Sequence, residues 1–207
     1  MCMLGSFSQY GVISQHSVVK VDPDLPLETA VLVGCGVPTG WGTATNAGGV
    51  RPGDTVVIYG VGGLGIDTVQ ASVVSGAKHV VAVDPVALKR DTAISMGATH
   101  AVATAEEAQR LVTDLTLGQG ADQALILVGT VTEEVVSAAF DIVGKGGTVV
   151  VTGLADPAKL TVHVSGAVLA LWEKTIRTPS SAAAIRSTTS RGCSGSTSRV
   201  TSSSTSW

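Results

Sequence analysis

From residue 54 to residue 152, short runs of apolar, mostly β-branched residues alternate with longer stretches in which apolar positions recur at helical spacing. A short apolar run bounded by turn signals suits a strand buried on both faces, and helical spacing suits a helix that covers one of those faces. The runs predict strands at 55–59, 79–83, 100–103, 123–128 and 147–152, with helices at 63–75, 85–96, 105–117 and 132–143 between them. Turn residues punctuate the same pattern: Pro52-Gly53-Asp54 launches the first strand, Gly97 closes the second helix, and Lys145-Gly146-Gly147 turns into the last strand. Strict alternation of the two periods implies repeated βαβ units, hence an α/β fold built on a doubly wound parallel sheet.

The flanks differ from this unit. Residues 7–21 read as strand-like, with Val12, Val18, Val19 and Val21 among polar neighbours, before Pro23 and Pro26 mark a loop. Short helices are expected at 27–33 and 39–46, separated by Gly34-Cys35-Gly36, so the N-terminal section reads as the end of another domain leading into the α/β one. Residues 178–207 hold 17 serines and threonines, three arginines, no lysine and no acid. Such a segment has too little apolar surface to offset its ordering entropy. It reads either as a flexible Ser/Thr-rich tail or as an out-of-frame translation of a GC-rich gene. The expected division is 1–34, 35–177 and 178–207.

Composition agrees with a buried sheet: 44% of residues are hydrophobic, 14% are charged, and 25 are glycines available for tight turns. A net charge of -3 without a run of lysine or arginine gives no footprint for nucleic acid or an anionic membrane. The first ten residues lack a signal-peptide pattern, and no apolar run approaches the roughly 20 residues needed to span a bilayer, so a cytoplasmic protein is expected. Cys2, Cys35 and Cys193 are odd in number and far apart, which argues against a disulfide framework, and no CxxC pair signals a structural zinc.

The strand at 55–59 is followed by Gly60-Val61-Gly62-Gly63-Leu64-Gly65 at the start of a helix. In that setting a GxGxxG pattern has a physical reading. Gly60 permits the tight turn, Gly62 lets backbone approach a pyrophosphate, and Gly65 lets the helix pack closely on the strand. The helix N-terminus offers free N–H groups and a partial positive charge to the phosphates. The second strand ends at Asp84, about 20 residues further on, where a carboxylate would bind the adenosine ribose hydroxyls and repel the extra phosphate of NADP. The cofactor expected is therefore NAD, although Lys89 and Arg90 stand nearby. Asp84 could instead cap the helix beginning at Pro85, and the two roles are compatible. Val128-Gly129-Thr130 and Thr152-Gly153-Leu154 sit at the ends of later strands, either as nicotinamide-side contacts or as ordinary turns.

Gly34-Cys35-Gly36-Val37-Pro38-Thr39-Gly40-Trp41-Gly42, followed by Pro52-Gly53-Asp54 and the glycine loop, resembles the medium-chain zinc-dependent alcohol dehydrogenase family. The resemblance runs to about Arg177 and is nearest to the nicotinoprotein, nitrosodimethylaniline-dependent branch in Val128-Gly129-Thr130-Val131 and Gly153-Leu154-Ala155-Asp156-Pro157. It implies a Rossmann domain preceded by a remnant of a GroES-like catalytic domain. It also implies that Cys35 descends from a ligand of the catalytic zinc, that Thr39 lies beside the nicotinamide, and that Asp84 and Lys89 contact the adenosine ribose. Gly60, Gly62, Gly63, Leu64 and Gly65, with Val128, Gly129, Gly153 and Leu154, complete the expected cofactor contacts.

In that family zinc is held by thiolates and an imidazole, and it acts as a Lewis acid on the alcohol while hydride passes to NAD. The other ligands lie N-terminal to the segment matching Met1, and His16, His79, His100 and His163 match none of them. The sequence expectation is thus an oxidoreductase for a primary alcohol or aldehyde, present as an inactive piece with a frameshift near Arg177 that disrupts the family's homo-oligomer strand. A non-catalytic NAD-binding module and a zinc-free reductase are the competing readings.

Overall fold

The computed structural model describes residues 8–14, 18, 20–153 and 163–179. Leu154, Cys2, His16, Cys193 and the expected tail from residue 180 onward lie outside the described residues. Helices α1 (Leu27–Val33) and α2 (Gly36–Gly42) precede a π-helical turn at Thr43–Gly48. The alternating part follows as β1 (Thr55–Tyr59), α3 (Gly63–Val74), β2 (His79–Val83), α4 (Ala87–Ser95) and β3 (His100–Val102). It continues as α5 (Ala105–Leu115), β4 (Ala121–Ile126), α6 (Glu133–Ile142), β5 (Val143–Val151), α7 (Gly166–Leu171) and β6 (Thr175–Arg177).

The six strands form one sheet in the order β3-β2-β1-β4-β5-β6, and every pairing is parallel. Each central strand contributes to two cores because successive side chains point to opposite faces. Val57 and Tyr59 of β1, Val81 and Val83 of β2, and Ala124 and Ile126 of β4 face α5 and α6. Val56 and Ile58, Val80 and Ala82, and Leu125 face α3, α4 and the π-helical turn. Burial of both faces explains why these strands read as unbroken apolar runs, each fully buried Leu or Ile contributing about 1.5–3 kcal/mol.

Helix α5 shows the local logic most clearly. Ala108 and Val112 are buried on one side while Glu106, Glu107, Gln109 and Arg110 are exposed. Thr104 Oγ1 accepts from the Glu107 N–H at 3.3 Å, and the Glu107 carboxylate accepts from the Ala103 N–H at 2.8 Å, so each satisfies a donor left free at the helix start.

Three expectations need correction. The run at 7–21 forms no strand among its described residues, where Val12, Val18 and Val21 are exposed. The helix expected at 39–46 is two pieces, α2 and the π-helical turn, in which Thr43 and Thr45 hydroxyls donate to the carbonyls of Thr39 and Trp41. β5 starts at Val143, before the expected 147, because Ala121 pairs with Val143 and the register then shifts so that Gln123 pairs with Thr148. α7 and β6 were not anticipated. β6 is secured by Lys174, which is 5% exposed and donates to the Phe140 carbonyl at 2.6 Å beside the Phe140 and Trp172 rings.

Candidate functional site

The strand order reverses between β1 and β4, and the crevice above their C-terminal ends is where ligands bind in doubly wound sheets. A cavity of about 550 Å³ opens there. Of the residues singled out from the sequence, Gly60, Gly62, Gly63, Leu64, Asp84, Lys89, Val128 and Gly129 line it together.

The glycines divide their work as the loop chemistry requires. Gly60 has φ +86°, and a Cβ there would meet the Val128 amide nitrogen at 2.9 Å, so the turn demands glycine on two counts. Its N–H donates to the Val83 carbonyl at 2.8 Å and ties the loop to β2. A Cβ at Gly62 or Gly63 would meet nothing within 4 Å, which leaves bare backbone facing open space at the N-terminus of the 12-residue α3. A Cβ at Gly65 would collide with the Gly60 carbonyl oxygen, so Gly65 permits close packing and does not line the cavity.

Asp84 ends the adjacent strand and is 4% exposed. One carboxylate oxygen accepts from the Val86 N–H at 2.9 Å, while the other accepts from the Val61 N–H at 3.2 Å and lies 3.6 Å from Lys89 Nζ. The carboxylate thus bridges the glycine loop and the approach to α4. The N-cap of α4 is Val86, so Asp84 shapes the entry to that helix without being its cap residue. Arg90 donates to the Asp84 and Pro85 carbonyls at 2.8 and 2.9 Å, so this guanidinium is engaged by backbone.

Apolar walls that sequence reasoning missed come from Val86, Ala105 and Val135. Their signal was position: each follows closely on the C-terminal end of a strand or begins the next crossover. Thr39 lies on α2, next to Gly40, where a Cβ would collide with the Leu64 carbonyl of the first turn of α3. Gly153 donates its N–H to the Ile126 carbonyl at 3.2 Å, and a Cβ there would meet the Val128 carbonyl oxygen at 2.5 Å. Neither Thr39 nor Gly153 lines the cavity.

Cys35 precedes α2 and is exposed, contrary to the buried setting usual for a lone cysteine, with its Sγ 3.9 Å from Thr39 Oγ1. Among the described residues no three His, Cys, Asp or Glu side chains gather where they could hold a metal ion, so this donor set does not fit a zinc site. His79 and His100 begin β2 and β3, at the end of the sheet away from the cavity, with ring centroids 6.0 Å apart. His163 pairs with Glu133.

The sequence signature described as zinc-binding dehydrogenase matches residues 63–191. The chain belongs to the zinc-binding dehydrogenase family. Among curated relatives of the chain, an NDMA-dependent alcohol dehydrogenase of Amycolatopsis methanolica is 66% identical over 177 residues, which cover 86% of this chain and 48% of the relative. A Mycobacterium tuberculosis protein provisionally named alcohol dehydrogenase D is 70% identical over the same shares of both chains. The chain therefore spans about half the length of the curated relatives it matches. A solved structure, benzyl alcohol dehydrogenase from Acinetobacter calcoaceticus, superposes with TM-score 0.70 at 31% identity over 78% of this chain and 44% of that one. Among the described residues no helix is long and apolar enough to cross a membrane.

Proposed function

We propose that the chain binds NAD in the cavity above β1 and β4, as the nucleotide-binding part of an alcohol dehydrogenase that transfers hydride between a primary alcohol or aldehyde and NAD. In this reading residues 35–177 form the nucleotide-binding domain. The bare backbone of Gly62 and Gly63 at the α3 N-terminus receives the pyrophosphate, while Gly60 and Gly65 fix the loop that presents it. Asp84 accepts from the adenosine ribose hydroxyls with Lys89 alongside. Val86, Ala105 and Val135 enclose the adenine, and Val128 and Gly129 continue the crevice toward Thr39 and Gly153.

When bound, the nicotinamide supplies the hydride acceptor and donor. This chain's residues bind and orient it. Cys35 occupies a position that the family resemblance assigns to a zinc ligand, but the donors around it do not complete a site, so no step is assigned to a metal. The same observation favours the second reading, a module that binds NAD without turning over alcohol. A small-molecule alcohol or aldehyde as partner, a cytoplasmic setting and a homo-oligomeric parent enzyme belong to the proposal through family membership.

The buried Asp84 carboxylate beside the open glycine backbone carries the reading. Calorimetric titration with NAD and NADP tests it. NAD should bind at least about tenfold more tightly, because a phosphate placed against a buried carboxylate is strongly disfavoured. Equal affinity for the two, or binding of neither, would overturn the assignment. Alcohol-dependent NADH formation, measured alongside metal content, separates the two readings.

A further inference from the structure

Thr43 is fully buried, yet it lines no part of the cavity. Its Oγ1 donates to the Thr39 carbonyl at 2.8 Å and lies 3.1 Å from the Oγ1 of Thr152. A threonine hydroxyl carries one proton. Since that proton is committed to Thr39, the Thr152 hydroxyl must donate to Thr43, giving a directed chain from Thr152 through Thr43 to the Thr39 backbone. Thr152 directly follows β5, where its own N–H donates to the Ile126 carbonyl at 2.9 Å.

This link joins two parts of the chain that are far apart in sequence. On one side stands α2 with Thr39; on the other stands the β5 end with Gly153, pressed against the Val128 carbonyl. The opposite flank of α2 is held separately, because the Thr68 hydroxyl donates to the Gly40 carbonyl at 2.8 Å. Loss of the Thr43 hydroxyl therefore leaves the Thr68 tie between α2 and α3 in place, and removes the link to Thr152 together with the side-chain bond to the Thr39 carbonyl. Among the described residues the hydrogen bonds of Asp84 are separate from those of the pair.

We propose that Thr43 and Thr152 are positioning residues whose hydroxyl pair sets the spacing between α2 and the end of β5, and so determines how well the crevice accepts the nicotinamide half of NAD. The inference rests on the NAD reading and adds a division within it: the adenosine half is governed by Asp84 and the glycine loop, the nicotinamide half by this pair.

Titrations of the native chain, Thr43→Val, Thr43→Ser and Thr152→Val with ADP-ribose and with NAD test it. ADP-ribose affinity should stay within about twofold of native in all three variants. The ratio of NAD to ADP-ribose affinity should fall about fivefold in Thr152→Val, the weight of one neutral hydrogen bond, fall by at least as much in Thr43→Val, which loses two, and return in Thr43→Ser. Thermal melts establish that each variant is folded, and Thr152→Val serves if Thr43→Val is not. An unchanged ratio in the folded valine variants, or parallel loss of both ligands, would overturn the inference alone. Failure of the native chain to bind ADP-ribose would overturn the NAD reading and the inference with it.

Discussion

Replacing Tyr59 with phenylalanine removes a single oxygen atom that has no partner among the described residues. The residue ends β1 on the face covered by α5 and α6, is 4% exposed, and its hydroxyl makes no hydrogen bond among the described residues. A buried, unpaired hydroxyl costs about 1–3 kcal/mol relative to an apolar group of the same shape. Tyr59→Phe should therefore stabilise the chain by about that amount at pH 7 and raise Tm by roughly 2–4 °C per kcal/mol. Urea denaturation followed by circular dichroism gives the difference as a shift in midpoint at constant slope.

The alkaline limb supplies an independent check. Burial, and then the negative charges of Asp141 and Glu106, push the phenol far above its ordinary pKa. In the unfolded chain Tyr59 ionises near pH 10, whereas the folded chain keeps its proton. Over that window the native state binds more protons, so stability falls with rising pH by about 1.4 kcal/mol per unit from this residue. Tyr59→Phe lacks the loss, and the gap between the two proteins should widen above pH 10. A variant less stable than native at pH 7 would show that the hydroxyl has a partner, and an unchanged alkaline limb would show that the fold does not hold the phenol protonated; either would refute the reasoning.

Gly65→Ala should destabilise by about 1–3 kcal/mol, because its Cβ meets the Gly60 carbonyl and the loop must shift; a urea midpoint and NAD affinity both equal to native would contradict this. Asp84→Ala should weaken NAD about 10- to 150-fold, corresponding to about 1.5–3 kcal/mol for hydrogen bonds to a charged group, and calorimetry reads it directly. His79 has its pKa lowered by burial, then by Lys78 and His100. The unfolded chain therefore takes up a proton first as pH falls below about 6.5, and stability drops through that window. His79→Gln should flatten this acid slope in a pH series of denaturation curves.

Strands β1, β2 and β4 were legible because burial on both faces forces a nearly continuous apolar run, while the half-buried β3 was legible from its place between two helical stretches. β6 was not, since Thr175 is half-buried, Ile176 and Arg177 are exposed, and the three form no such run; their strand character comes from pairing with β5. The early start of β5 was hidden by Gly144-Lys145-Gly146-Gly147, which reads as a turn but is accommodated within the strand by the register shift. At the site, the glycines and Asp84 could be read in advance because their demands are local: a positive φ, a close approach, a strand end. Val86, Ala105 and Val135 carry only their position in the chain as a signal, and three separate crossovers bring them to one rim. The hydroxyl link from Thr43 to Thr152 joins residues that no short pattern connects.

The position of β1 at the centre of the sheet also has a consequence for the order in which the molecule assembles. Its pairing with β2 closes a much shorter stretch of chain than its pairing with β4, so the β1–α3–β2 unit has an entropic advantage in forming first. That early unit already contains the glycine loop and Asp84, but the far wall of the crevice, Val128 and Gly129, arrives only when β4 docks. A dinucleotide that touches both walls recognises the completed sheet and not its first half. Its binding would therefore draw the late docking step forward by mass action, making the cofactor a partner in folding as well as in chemistry.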